Sequence, residues 1–134
     1  MAHTAQLNVE NRTYKIVNCE YEFTQVVDQI GQPCTHPDGG LIHLMIESPD
    51  NSDLFMHNWM LNSTERKDGN ITFKVVNAGK PSTKTLHFKD THCVGLEECF
   101  DTRSDAQMTT KIILSAKEIS FGTLGNTVFK HFRG

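Results

Sequence analysis

The chain of 134 residues has room for one hydrophobic core and is short for two domains. Apolar residues make up 37% and charged residues 22%, with a formal charge of −3, the balance of an ordinary soluble globular protein without the basic excess a nucleic-acid partner requires. No stretch approaches the ~18 apolar residues of a membrane helix, and Met1 to Gln6 lacks the basic start and apolar run of a secretory signal, so membrane insertion is not expected and the cytosol is. In that compartment Cys19, Cys34, Cys93 and Cys99 are expected to be reduced thiols, neither disulfide partners nor metal ligands.

Period-2 alternation dominates the chain. Ala5, Leu7 and Val9 share one face, the pattern breaks at Glu10-Asn11-Arg12, and Tyr14 and Ile16 resume it, which predicts a hairpin. The apolar set then changes parity to Val17, Cys19, Tyr21 and Phe23, as a bulge or a switch between core faces would produce. Residues 28–40, rich in Gly and Pro, read as a long exposed connection. Ile42, Leu44 and Ile46 give another strand. Next, Ser52 or Asp53 is placed to cap a short helix whose first turn starts at Leu54, with Phe55 and Trp59 on one face and Met60 filling space beside them.

Lys67-Asp68-Gly69-Asn70 reads as a turn feeding the next strand, since Asp-Gly tolerates positive φ. Ile71, Phe73 and Val75 form that strand, Leu86 and Phe88 another, and Thr110, Ile112, Leu114 and Ala116 a third, before a further parity shift at Ile119. The count is seven or eight strands around one helix.

Residues 86–101 concentrate two histidines, two cysteines and four carboxylates. Along a strand, Cys93 and Cys99 would stand ~20 Å apart, beyond one metal or one disulfide. The even-numbered Leu86, Phe88, Val94, Leu96 and Phe100 form an apolar face interrupted at Asp90 and His92, so a kink there is expected to divide the segment into two strands. Zinc spacing is missing. A second cation candidate, His36 and Asp38 with His43, is explained more simply as exposed loop polarity. Asp90 and His92 could pair as acid and base, but the sequence places no nucleophile beside them, and the Gly-x-Ser-x-Gly, His-Glu-x-x-His and phosphate-loop motifs are missing. Composition and spacing thus point to a small, mainly β, cytosolic domain that is not an enzyme and needs no cofactor.

The strings CEYEFTQVVDQIGQPCTHPDGGLIHLMIES, WM, RKDGNITF, KTLHFKD, EECFD and MTTKIILSAKEISFG, in that order over residues 5–122, resemble the tube protein of type VI secretion systems, the Hcp or TssD family, in its Bacteroidota branch. The resemblance implies one tube domain over residues 1–134, mainly β, with two packed antiparallel sheets forming a barrel-like body and one short flanking α-helix. Residues 1–4 and 123–134 fall outside the match as extended tails. It implies a homohexameric ring, stacking of rings into a tube that a contracting sheath expels, sheath, spike and effector proteins as partners, and secretion of a cytoplasmic protein without a signal peptide. Asp28, Gly31, Gln32, Pro33, His36, Gly39 and Gly40 are expected to supply the contact between stacked rings, and Phe55, Trp59, Phe73, Phe88 and Phe100 to anchor the core. Gln32 stands where a basic residue is expected, and His92-Cys93 replaces a more aromatic pair. The alternatives are a specialised cargo-carrying paralogue of the same fold and a monomeric ligand- or metal-binding β-barrel.

Overall fold

The computed structural model describes residues 3–23, 28–32, 40–48, 53–62, 64–99, 108–122 and 127–130. Strands β1 (Thr4–Val9) and β2 (Arg12–Tyr21) form the expected hairpin, with Val9 opposite Arg12. Glu10 and Asn11 take φ of 47° and 65°, the pair of left-handed residues that a two-residue hairpin loop needs.

The parity change in β2 is a bulge between Ile16 and Asn18, and there the strand changes sheets: residues 12–15 pair with β1, and the remainder pairs with β3 (Leu41–Glu47). Cys19 and Tyr21 stay partly buried. Val17, expected with them on the core face, is instead the bulged residue and is 55% exposed.

Helix α1 (Phe55–Leu61) starts one residue later than expected, with Leu54 in the cap position and no capping side-chain bond; Asp53 accepts from the Phe55 amide at 3.0 Å instead. Ser52 lies outside the described residues. Met56 and Trp59 are the buried face of the helix, and Phe55 is half-buried beside Trp59, with ring centroids 6.2 Å apart.

The next two strands correct the sequence reading. β4 (Lys67–Asn77) already includes Lys67–Asn70, and the feature read as a turn is a bulge between Lys67 and Gly69. A side chain at Gly69 would put its Cβ 2.6 Å from the Asn8 carbonyl and 2.7 Å from the Phe88 ring, so the glycine serves close packing. β5 (Lys80–Cys99) is one strand of 20 residues, joined to β4 by a two-residue loop at Ala78 and Gly79, both with positive φ.

The expected kink at Asp90 is present, with φ +50°, but it re-aims a continuous strand without ending it. Before it, β5 pairs with β4; after Thr91 it pairs with β6 (Thr109–Ser115). Because the kink also shifts parity, Thr91 and Cys93 are buried where Val94 had been expected, and Val94 is 48% exposed.

β1, β2, β3, β6, β5 and β4 pair in sequence and close on themselves, a barrel whose two sheets share β2 and β5 as corner strands. β7 (Glu118–Phe121) adds to the first half of β5, and β8 (Thr127–Lys130), in a segment expected as an extended tail, adds to β7. The interior is filled by Leu7, Ile42, Leu44, Ile46, Ile71, Leu86, Phe88, Ile112, Leu114 and Ile119. At ~25 cal/mol per Å² buried, such side chains supply the main drive to fold. Of the expected anchors, Trp59 and Phe88 are buried and Phe55 and Phe73 pack against the core partly buried, whereas Phe100 lies outside the described residues.

Candidate functional site: open edges and barrel ends

The second sheet, ordered β2–β3–β6–β5, has two outer strands that are unpaired on one side among the described residues: β2 beyond Ile16 and β5 beyond Thr91. Each pairing in this sheet is antiparallel, so across four strands the two edges run in opposite directions. Each edge also carries a bulge, and each bulge turns a valine, Val17 or Val94, to the outside. The break in parity at Val17 signalled the first bulge in the sequence, whereas Val94 keeps the parity of Leu86 and Phe88 and reads with their apolar face.

The outer face of this sheet is a shallow cavity of about 520 Å³, with Glu20, His43, Met45, Lys111 and Glu97 on its walls. Gly95 makes room there: a Cβ at that position would meet Ile113 at 2.9 Å. Cys19 and Cys93 point the other way, and burial pushes both thiols up to about 11, so they are poor thiolates. Cys19, Cys93 and Cys99 are free. Among the described residues no three His, Cys, Asp or Glu side chains gather as metal ligands, and no helix is long and apolar enough to cross a membrane. Of the cation candidates, His43 is an exposed residue of β3, while His36 and Asp38 lie outside the described residues. Asp90 sits at the kink, held by its own amide donating to Asp68, and His92 faces Ser115 across the ladder.

The expected stacking loop is seen at its two ends. The Asp28 carboxylate accepts from the amides of Ile30 and Gln32 at 3.0 and 2.9 Å, the Asp28 amide donates to the Gln32 carbonyl, and Gly31 takes φ +86° to close the turn. The turn presents Ile30, 77% exposed. Pro33, His36 and Gly39 lie outside the described residues. Gly40 is buried, and its carbonyl accepts from the Ala116 amide at 2.7 Å, fastening the segment where it rejoins β3.

The other end of the barrel is held by charges the sequence reading did not connect, because the partners lie far apart in the chain. Lys67, nearly buried, donates to both oxygens of Glu10 at 3.1 Å and to Glu65 at 2.6 Å, and its ammonium lies over the Phe55 ring. Burial alone would lower its pKa, but the hydrogen bonds it donates to Glu65 and Glu10 outweigh that and leave it raised. Arg12 pairs with Asp53 at 2.9 Å and also lies over Phe55, while the Tyr14 hydroxyl donates to Asp53. Burial first, and Asp53 second, raise the Tyr14 hydroxyl. His57 pairs with Glu98, tying the helix to the end of β5.

The family model for the hemolysin coregulated protein Hcp (TssD) matches residues 1–130. Among solved structures, Hcp1 from Flavobacterium johnsoniae is 34% identical, covering 96% of this chain and 99% of that one, with a TM-score of 0.78. Hcp1 from Salmonella typhimurium, 10% identical over 97% of this chain and 95% of that one, shares the fold with a TM-score of 0.66. A chain of the sheath/tube terminator of an extracellular contractile injection system, 18% identical over 89% of this chain and 93% of that one, aligns with a TM-score of 0.55. No curated protein matches the chain by sequence.

Proposed function

The chain belongs to the Hcp (TssD) family, the tube-forming proteins of type VI secretion, and from that premise we propose that six copies close head to tail into a ring through the open edges of the second sheet. The observation that carries the reading is the opposed direction of those edges. With four alternating strands per copy, the β5 edge of one subunit meets the β2 edge of the next in antiparallel sense, so alternation continues unbroken around the ring. An odd number of strands would force a parallel seam. The outward valines at each edge, Val17 and Val94, then become contact residues instead of exposed liabilities.

Closing the second sheet in this way turns its concave outer face toward the ring axis. Glu20, His43, Glu97 and Lys111 would line the lumen, where an effector protein can ride. The whole chain acts as one tube domain, structural and without catalysis, that stacks as rings, meets sheath and spike proteins, and leaves the cytoplasm when the sheath contracts. Negative-stain electron microscopy of the purified protein tests the ring: six-lobed annuli are expected, and a field of single globules rejects it. In cells, loss of this chain should abolish delivery of effectors.

A further inference from the structure

The two open edges of the second sheet carry matching irregularities. On β2, Val17 and Asn18 are both exposed between the core-facing Ile16 and Cys19, two residues in the space of one. On β5, Val94 and Gly95 make the same kind of doubled step between the core-facing Cys93 and Leu96, with Val94 exposed and Gly95 on the outer cavity. These doubled steps are what each edge shows a neighbour.

Where a β5 edge meets the β2 edge of the next copy, core-facing residues must stand opposite core-facing residues. β2 is paired with β1 up to Lys15 and ends at Tyr21, so a seam that avoided the β2 bulge would run off the strand. With both bulges inside the seam, one register keeps every pair on one face: Ile16 opposite Leu96, Cys19 opposite Cys93, and Tyr21 opposite the buried Thr91. Between the first two pairs the doubled steps meet, Val17 against Gly95, whose missing side chain leaves it room, and Asn18 against Val94. Two strands that are irregular toward their own sheet thus pair residue for residue with each other.

Within one chain Cys19 and Cys93 are separated by β3 and β6, roughly 14 Å of strand spacing, too far for a bond. Across the seam they stand directly opposite, where Cα atoms of antiparallel partners are ~4.5–5.5 Å apart, inside the ~4.4–6.8 Å that disulfides span. We propose that Cys19 of one copy and Cys93 of the next form a disulfide that locks the ring covalently in oxidising surroundings. This rests on the ring reading above.

The oxidant is a small-molecule disulfide such as oxidised glutathione. Cys19, the less buried of the two, attacks one of its sulfurs as the thiolate, expels one glutathione thiolate and is left as a mixed disulfide. The neighbour's Cys93 then attacks the Cys19 sulfur and expels the second. Two protein thiols become one disulfide, the oxidant becomes two thiols, and the protein's two protons pass to them. Burial holds both cysteines up to about 11, so exchange is slow at neutral pH and quickens as pH rises. A reducing cytoplasm keeps the pair open, which leaves rings free to assemble and to correct errors.

The test uses the full chain. Native mass spectrometry of the reduced protein establishes the ring, and oxidised glutathione is then added at about pH 9, where more of each thiol is ionised. Non-reducing denaturing gels should show a ladder of covalent multimers ending at six chains and reversed by dithiothreitol, and peptide mapping should join Cys19 to Cys93. Cys34→Ser/Cys99→Ser should keep the ladder, and adding Cys93→Ser should abolish it. Register is read separately from thiols on the cavity face: with all four native cysteines replaced by serine, Glu20→Cys/His92→Cys should crosslink between copies and Glu20→Cys/Glu97→Cys should not. A ring that gives no ladder in the Cys34→Ser/Cys99→Ser chain overturns the disulfide, and crosslinking through Glu97→Cys instead of His92→Cys overturns the register. A parent that stays monomeric rejects the ring reading itself, and the lock with it.

Discussion

The indole N–H of Trp59 donates to the main-chain carbonyl of Thr91 at 3.2 Å, in a fully buried setting. Thr91 is the residue after Asp90, where β5 leaves one sheet for the other, so the helix reads and fixes the corner of the barrel. The prediction is that Trp59→Phe keeps most of the apolar contact and still costs about 1–3 kcal/mol, because it orphans a buried carbonyl. A urea titration followed by far-UV circular dichroism measures it; a midpoint equal to the parent's would mean the hydrogen bond carries no weight.

Gly69 offers a sharper case. Its neighbours within a Cβ's reach are a backbone carbonyl, Asn8 at 2.6 Å, and the Phe88 ring at 2.7 Å, which is fixed in the core. Since the carbonyl belongs to the β1–β4 ladder and cannot step aside, Gly69→Ala should destabilise by about 1–3 kcal/mol. Gly79→Ala makes a control of a different kind: nothing lies within 4 Å there, and any cost comes from φ +76° alone. Thermal melts of the two variants separate packing from backbone strain.

These two positions also mark where the sequence could and could not be read. The β1–β2 hairpin, the Ile42–Ile46 strand, the Phe55–Trp59 helix face and the kink at Asp90 were legible, because alternation and turn chemistry are local. Gly69 was misread because Asp-Gly is a common turn pair, and what it answers to, Phe88 and Asn8, is distant in the chain. The β4–β5 loop was missed for the opposite reason: Ala78 sits at φ +50°, a conformation its side chain does not advertise. Likewise the salt links from Lys67 to Glu10 and from Arg12 to Asp53 depend on closure of the barrel, which no local pattern encodes.

Lys67 gives a pH dependence with a definite sign. Its folded pKa is raised, so the stability it contributes is complete below the ordinary lysine value of ~10.4 and is lost as pH rises through the higher folded value. Lys67→Met should cost about 1–3 kcal/mol near neutral pH, leaving Glu10 and Glu65 without their shared cation. Its stability should then fall less than the parent's as pH rises above the ordinary lysine value of ~10.4. Denaturation series at several alkaline pH values measure the difference; parallel curves for the two proteins would contradict the assignment.

The cysteines should separate by accessibility. Cys99 is exposed, whereas burial pushes Cys19 and Cys93 up to about 11. Near pH 8, maleimide should label Cys99 well before either of them, and denaturant should equalise the three. Peptide mapping by mass spectrometry checks the order, and early labelling of Cys93 would show that the β5 corner opens in the native state.

The central claim is that open, opposed edges of a four-stranded sheet close six copies into a ring. Native mass spectrometry of the purified chain at micromolar concentration tests it most directly. A dominant species at six times the chain mass is expected, reduced to smaller species when a proline replaces Leu96 on the β5 edge. A parent that runs as monomer or dimer at every concentration would contradict the account.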